Sequence, residues 1–90
     1  MLGKSLARSL ESSLSERVGR RVRRLRMDRG WTLLELARRL SAETGGVWDA
    51  LSVERMEAGV YPFRLSDIVA AAMAFGMAPE AFLHNLVEER

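Results

Sequence analysis

The centre of the chain, residues 30–59, reads GWTLLELARRLSAETGGVWDALSVERMEAG. Thr32 and Glu35 have the spacing of a helix capping box, and apolar residues follow at helical intervals. Asp49 is a typical N-cap residue for a second, shorter helix, which Gly59 ends. This stretch predicts two helices joined by a connection. No strand is predicted, because apolar and polar residues nowhere alternate with a period of two.

The same helical spacing extends on both sides of the centre. Before it, Val18, Val22 and Leu25 form the apolar face of a helix that Gly30 ends. After it come two more helices, the second with Pro79 at its first position, where the missing N–H of proline costs nothing. The predicted fold is all-α, with five core helices. The predicted core consists of Val18, Val22, Leu25, Leu36, Leu40, Val53, Met56, Leu65, Ile68, Ala72, Phe75, Phe82 and Leu83.

An N-terminal segment precedes these five helices. Leucines at positions 2, 6, 10 and 14 recur every four residues, with serines between them. This spacing is typical of an extra helix, or of an arm. Ser13 and Glu16 have capping-box spacing, which indicates that a new helix starts there. We therefore divide the chain into an N-terminal arm or helix, residues 1–15, and a helical domain, residues 16–90.

Composition excludes several classes of function. With 90 residues, 48% of them hydrophobic, the chain forms one small domain. The absence of cysteine excludes disulfides and thiolate chemistry, and it fits the cytoplasm, where we expect the protein. The single histidine, His84, has no second ligand at metal-binding spacing, and there is no glycine-rich phosphate loop. We therefore expect no enzyme, no cofactor and no metal. The apolar runs are also too short to span a membrane.

The basic residues are concentrated near the start of the chain. Residues 1–30 contain nine Lys/Arg and three Asp/Glu, whereas residues 31–90 contain five and nine. The cluster from Arg17 to Arg29 suggests a polyanionic partner, although a solvated helix face gives the same pattern.

The order of these elements is the plan of a helix-turn-helix domain. The residues themselves resemble the Cro/phage-repressor (XRE-type) family, which implies a lambda-repressor-like fold. The matching residues are 18–26 and 30–32 for the first helix and turn, Leu36-Ala37 for the second helix, 53–59 for the end of the recognition helix, and Leu65, Ile68, Ala72, Phe75-Gly76 and Phe82-Leu83 for the last two helices. The resemblance covers about residues 16–84.

The connection between the second and third helices departs from the usual family pattern. Residues 41–48 make it several residues longer than the tight turn of most members. The stretch 46–59 is similar to the DNA-binding domain of the BldD-type subgroup of actinobacterial regulators, which has a tryptophan where Trp48 stands and a leucine where Leu33 stands. We expect Trp48 to pack at the start of the third helix rather than to read a base.

The resemblance implies a sequence-specific DNA-binding transcriptional regulator of bacterial type, with residues 49–58 as the recognition helix in the major groove of double-stranded DNA. Arg55 is able to form a bidentate pair with guanine. Thr32 lies at a helix N-terminus, which attracts phosphate. The implied DNA-binding residues are Thr32, Ala50, Leu51, Ser52, Arg55, Tyr61 and Arg64.

A structural role is implied for two further charged residues. In the family, an arginine on the first helix pairs with a glutamate at the end of the third, and these positions are Arg26 and Glu57 here. We expect a partly buried salt bridge, which removes both residues from the possible DNA contacts.

The acidic third helix favours an alternative function. A polyanion such as DNA is repelled by the carboxylates of Asp49, Glu54 and Glu57. The domain is then a protein-interaction module derived from the helix-turn-helix fold, which docks on RNA polymerase, a sigma factor or another regulator.

For the DNA-binding function we expect a homodimer, because one unit reads only a few base pairs. The N-terminal leucines then form a seam with the second copy or dock on its fifth helix, unless the segment folds back onto its own core.

Overall fold

The computed structural model describes residues 2–60, 63–84 and Leu86, with the backbone alone for residues 2–12. Its five helices are α1 (Leu2–Asp28), α2 (Leu33–Thr44), α3 (Ala50–Ala58), α4 (Leu65–Ala74) and α5 (Pro79–Leu83). Within these described ranges no residue belongs to a strand, so the predicted all-α, five-helix fold is confirmed. No helix in them has the length and apolar character that crossing a bilayer requires.

The helices begin and end at the residues that cap them. The Thr32 hydroxyl accepts the Glu35 N–H while the Glu35 carboxylate accepts the Thr32 N–H, which completes the capping box of α2. The Asp49 side chain accepts the Ser52 N–H at the start of α3. Gly59 ends α3 with a φ of 68°, a left-handed conformation that glycine adopts without a steric penalty.

α1 is one continuous helix of 27 residues, so the new helix start predicted at Ser13 and Glu16 is wrong. An N-cap residue needs an extended backbone, but Ser13 lies inside a helix that began at Leu2. Neither proline nor glycine interrupts residues 4–18, so the backbone has no reason to leave the helix there. The N-terminal segment is therefore helical. At ~1.5 Å per residue α1 is about 40 Å long, close to the longest dimension of the molecule, 42 Å.

Most of the predicted core is buried. The predicted core residues that are buried are Val18, Val22, Leu36, Leu40, Val53, Met56, Ala72, Phe75 and Phe82. Leu25 and Ile68 are partly buried at its edge. The sequence-based core lacked three buried alanines of α4, at positions 70, 71 and 74. Small side chains on several sides of a helix allow neighbouring helices to pack closely against it. The predicted core consists mainly of large apolar residues, so it leaves these alanines out.

Two predicted core residues lie at the surface. Leu65 is 75% exposed and Leu83 is 38% exposed. Leu65 is the first residue of α4, and burial on its face increases along the helix, through the partly buried Ile68 to the fully buried Ala72. Leu83 is the last residue of α5, next to the fully buried Phe82. Helical periodicity identifies a face of a helix, but it does not show where along the helix the packing stops.

Candidate nucleic-acid interface

A short loop, residues 45–49, joins α2 to α3. The Trp48 N–H donates to the Ser41 hydroxyl at 2.9 Å, and that hydroxyl donates to the Ala37 carbonyl at 2.9 Å. Trp48 itself is partly buried against the core. These contacts fix the direction in which α3 leaves the loop, and Trp48 packs where the sequence analysis expects it.

One side of α3 is open to solvent. Its exposed residues are Leu51, Glu54, Arg55 and Ala58. Val53 and Met56 lie on the opposite side and are buried, while Ala50 is half-buried. Of the DNA contacts predicted on α3, the structure therefore places Leu51 and Arg55 on the exposed side, with Ala50 at its edge. This surface presents one guanidinium, one carboxylate and one leucine to solvent.

Ser52, the fourth residue predicted on α3, is engaged by the helix cap. Its N–H and its hydroxyl both donate to Asp49 Oδ1, each at 2.8 Å. Its side chain is half-buried. These two hydrogen bonds to the charged form hold the pKa of the Asp49 carboxyl below its usual value. Ser52 therefore positions the start of α3, and it has to share its hydroxyl with Asp49 if it contacts DNA.

The Asp49 cap predicts a pH dependence. Because the pKa of Asp49 is lower in the folded than in the unfolded chain, its contribution to stability is complete above about pH 4 and is lost as the pH falls through the lowered value. We expect the wild type to lose more unfolding free energy below about pH 4 than Asp49→Asn, which keeps an acceptor but cannot titrate. Urea unfolding at several pH values measures this. Parallel pH profiles for the two proteins would contradict it.

A family model described as a helix-turn-helix domain matches residues 17–84, from the middle of α1 to just beyond the end of α5. The chain belongs to the helix-turn-helix domain family. No curated protein and no solved structure matches it. Helix-turn-helix domains are typical of DNA-binding regulators, in which the second helix of the motif enters the major groove. The sequence analysis predicts that α3 is this helix. The resemblance to the Cro/phage-repressor branch and to the BldD-type subgroup stays a prediction.

The N-terminus of α2, where a phosphate contact is predicted at Thr32, already binds a carboxylate. The Thr32 N–H donates to Glu35 Oε2 at 2.9 Å, and the Glu35 N–H donates to Thr32 Oγ1 at 3.1 Å. A phosphate bound to the Thr32 N–H would compete with the Glu35 carboxylate for the same donor, and the two anions would repel each other. The capping box thus stabilises α2 and at the same time weakens the predicted phosphate site.

The two remaining predicted contacts follow α3. Arg64 is exposed immediately before α4, and its N–H donates to Asp67 Oδ2 at 3.0 Å. The backbone at Arg64 is therefore fixed by the start of α4, while its charged side chain is open to solvent. Tyr61 lies outside the described residues.

Arg26 joins three parts of the helix-turn-helix domain. Its Nε donates to Glu57 Oε2 at 2.6 Å and its Nη2 to Glu57 Oε1 at 3.0 Å, a bidentate ion pair. Its Nη1 donates to the Trp31 carbonyl at 2.9 Å. The hydrogen bond with Glu57 raises the pKa of Arg26, so its charge is retained at any accessible pH. The guanidinium thereby fixes the end of α3 relative to α1 and to the turn before α2.

Other arginines of α1 also hold the helices together. Arg21 Nε donates to the Phe82 carbonyl at 2.7 Å, and Arg29 Nη2 donates to the Phe75 carbonyl at 3.1 Å. Both carbonyls lie near helix ends, where backbone acceptors lack partners within their own helix. The basic cluster that suggests a polyanionic partner is therefore partly structural. A count of charges does not separate arginines that face solvent from arginines that bind carbonyls.

An aromatic stack anchors the turn between α1 and α2. The rings of Trp31 and Phe75 are stacked with centroids 5.5 Å apart and planes 7° from parallel. The Arg39 guanidinium lies 3.9 Å from the Trp31 centroid, and the Arg29 guanidinium lies 5.0 Å from the Phe75 centroid. Such cation–π contacts add to the apolar packing. The stack fixes the start of α2 against the end of α4.

Gly19, for which no role is predicted from the sequence, decides how closely α1 approaches α3. A Cβ atom at Gly19 would lie 2.5 Å from the Glu57 carbonyl oxygen and 2.6 Å from that of Met56. A Cβ atom at Gly59 would likewise lie 2.7 Å from Glu16 Cα. Glycine inside a helix costs about 1 kcal/mol relative to alanine, so its presence there was the available indication of a packing role.

In the described part of the chain, no three His, Asp or Glu side chains are close enough together to share a metal ion.

Proposed function

We propose that the chain is a sequence-specific DNA-binding transcriptional regulator, with residues 16–90 as the DNA-binding domain. The observation that carries this proposal is the exposed Arg55 on the solvent side of α3, in a chain of the helix-turn-helix family. Arginine in the major groove pairs with O6 and N7 of guanine through two parallel hydrogen bonds. The chain accordingly acts on duplex DNA in a bacterial cytoplasm, as a member of the Cro/phage-repressor branch similar to the BldD type.

The neighbours of Arg55 limit the sequence that α3 reads. Leu51 and Ala50 offer only apolar contact, which suits a thymine methyl group. Glu54 is able to accept a hydrogen bond from cytosine N4, but it repels the phosphates on either side. We therefore propose a site with one guanine specified by Arg55 and a nearby thymine or cytosine. Arg64, Tyr61 and Thr32 hold the sugar–phosphate backbone.

We propose further that the regulator binds as a homodimer. A single helix-turn-helix unit contacts only a few base pairs, and a two-fold dimer doubles the site with half-sites about 34 Å apart. With two copies, each weak contact of the acidic α3 is made twice. The expected operator is therefore palindromic.

Selection of bound sequences from random duplex DNA tests the proposal. We expect an enriched palindrome. Arg55→Ala then weakens binding to the best site roughly 5- to 150-fold and removes the preference at one base position of each half-site. Arg23→Ala, which removes an equal charge from an exposed position on α1, serves as the control and leaves the preference intact. Enrichment of no sequence at low salt would overturn the proposal.

Arg64→Ala tests the backbone contact separately. Because a phosphate carries no sequence information, we expect weaker binding to all duplexes alike. The slope of log affinity against log salt concentration falls by about one for each lost contact. Titration of a single fluorescent duplex at several salt concentrations measures this slope. A change in base preference, with an unchanged slope, would contradict the assignment.

A second candidate function is supported by the charges around the motif. Glu54 is exposed on α3, Asp49 caps its start, and Glu35 lies at the start of α2, so three carboxylates border the surface that DNA would contact. In this second function Leu51, whose side chain is 51% exposed, lies at the centre of the interface with a protein partner. The partner is a component of the transcription machinery such as RNA polymerase or a sigma factor. Capture of such a partner, without binding to any duplex at low salt, would favour this function.

A further inference from the structure

We propose that Val47, in the loop before α3, is a specificity-determining residue that contacts the methyl group of a thymine in the major groove. The proposal rests on the proposed DNA-binding function and adds one base to the sequence that the chain recognises. Val47 is not among the DNA contacts predicted from the sequence, and it does not depend on the pairing of Arg55 with guanine. Each of the two assignments can therefore fail without the other.

Val47 has the most exposed large apolar side chain in the described part of the chain. It is 96% exposed, whereas Leu65, the next in order, is 75% exposed. Stabilisation by apolar groups is proportional to the area that they remove from water. The side chain of Val47 therefore contributes almost nothing to the folded domain, and its apolar surface is free for a partner.

Hydrogen bonds on both sides fix the backbone at Val47. The Gly46 N–H donates to Thr44 Oγ1 at 3.1 Å, and the Trp48 N–H donates to Ser41 Oγ at 2.9 Å. Each of these hydroxyls also donates to a carbonyl of α2 at 2.9 Å, so both are themselves held by the helix. Valine is in addition restricted about χ1. Little conformational freedom is therefore lost when Val47 meets a partner, which favours binding.

Val47 lies next to the end of α3 that reaches the bases. In helix-turn-helix domains the N-terminal residues of the recognition helix contact the base edges. Val47 precedes Ala50, the first residue of α3, by three positions and the exposed Leu51 by four. Three residues span at most about 11 Å, less than the width of the major groove, about 12 Å. Val47 and the start of α3 are therefore close enough to share one groove.

The chemistry of valine selects the ligand. Its side chain has no donor or acceptor, so it cannot read the hydrogen-bonding pattern of a base pair. The apolar group that bases present in the major groove is the C5-methyl of thymine, which cytosine lacks. A phosphate beside Val47 would lose hydration without gaining a hydrogen bond. Of the two pyrimidines that the exposed side of α3 admits, Val47 therefore favours thymine at its own position.

Replacement of thymine by deoxyuridine tests the proposal, because it removes the methyl group and leaves every hydrogen-bonding atom of the base pair in place. Each thymine of the best selected site is replaced in turn. At one thymine of each half-site we expect the affinity of the wild type to fall about fourfold, the effect of one apolar carbon. Val47→Ala should bind the unmodified site about fourfold more weakly and lose its sensitivity to the replacement at that thymine.

Val60→Ala is the matched control. It makes the same change at an exposed valine, 65% exposed, that follows the opposite end of α3. This variant should keep the full sensitivity to deoxyuridine. The melting temperature of Val47→Ala should equal that of the wild type, because the side chain is exposed and the backbone hydrogen bonds of the loop are unchanged.

The outcomes separate this assignment from the proposed function. Equal sensitivity of wild type and Val47→Ala at every thymine would overturn the role of Val47, and so would a best site without thymine. DNA binding stands in both cases if Arg55→Ala still removes the preference for guanine. Failure of any duplex to bind at low salt would overturn both proposals.

Discussion

Arg26→Ala is expected to lower the free energy of unfolding by about 3–5 kcal/mol. The substitution removes a bidentate pair, with Nε 2.6 Å from Glu57 Oε2, and it leaves the Glu57 carboxylate without its cation. That carboxylate is poorly hydrated, because the two side chains are only 14% and 7% exposed. The Trp31 carbonyl loses a donor as well. A domain of this length is stable by only roughly 5–13 kcal/mol, so the loss is a large share of the total.

Thermal and urea unfolding measure this effect. We expect the melting temperature to fall by at least about 12 °C, at roughly 4 °C or more per kcal/mol for a domain of this size. Arg23→Ala is the control, since it removes an exposed arginine from the same helix. The double variant Arg26→Met, Glu57→Leu should recover most of the stability, because neither charge is then buried alone. An unchanged melting temperature for Arg26→Ala would contradict the structural role.

Gly19→Val is expected to cost about 3 kcal/mol, at the upper end of the usual range for overpacking. A Cβ atom at this position would lie 2.5 Å and 2.6 Å from two backbone oxygens, those of Glu57 and Met56. Backbone atoms cannot turn aside as a flexible side chain does, so α1 and α3 have to separate. The separation also draws Glu57 away from Arg26. Helix propensity works in the opposite direction, because valine is a better helix former than glycine by a few tenths of a kcal/mol.

Arg23→Val separates these two contributions. It introduces the same side chain on the exposed side of the same helix, and we expect it to change stability by no more than about 0.5 kcal/mol. The combination of Gly19→Val with Arg26→Ala should cost less than the sum of the two, because both weaken the same α1–α3 contact. Full additivity, or a Gly19→Val protein as stable as the wild type, would show that the helices do not meet at Gly19.

Local chemistry made much of the fold predictable. The caps at Thr32 and Asp49 and the stop at Gly59 depend on residues within one or two turns of each helix end, so short spacings in the sequence identify them. The buried side of α3 follows from helical periodicity. Leu51 and Arg55 were named by the family resemblance, and the structure leaves both exposed. The Arg26–Glu57 pair links residues 31 positions apart, and only the family resemblance suggested it.

Charge was less informative than periodicity. The basic excess of residues 1–30 favours a polyanionic partner, yet Arg21, Arg26 and Arg29 bind carbonyls or a carboxylate inside the molecule. Their partners come from distant parts of the chain, because an arginine side chain reaches whatever acceptor the packing of the helices brings near. Sequence spacing contains no information on those acceptors.

The sequence by itself determined the helical class, the ends of α2 and α3 and the side of each helix that is apolar, because backbone propensities, caps and periodicity act over a few residues. The tertiary structure decided the rest. It made α1 continuous through Ser13, left Leu65 exposed where packing on α4 begins, and brought Gly19 against the end of α3. Each of these depends on the distance between elements remote in sequence, which is fixed only when the helices pack around a common core.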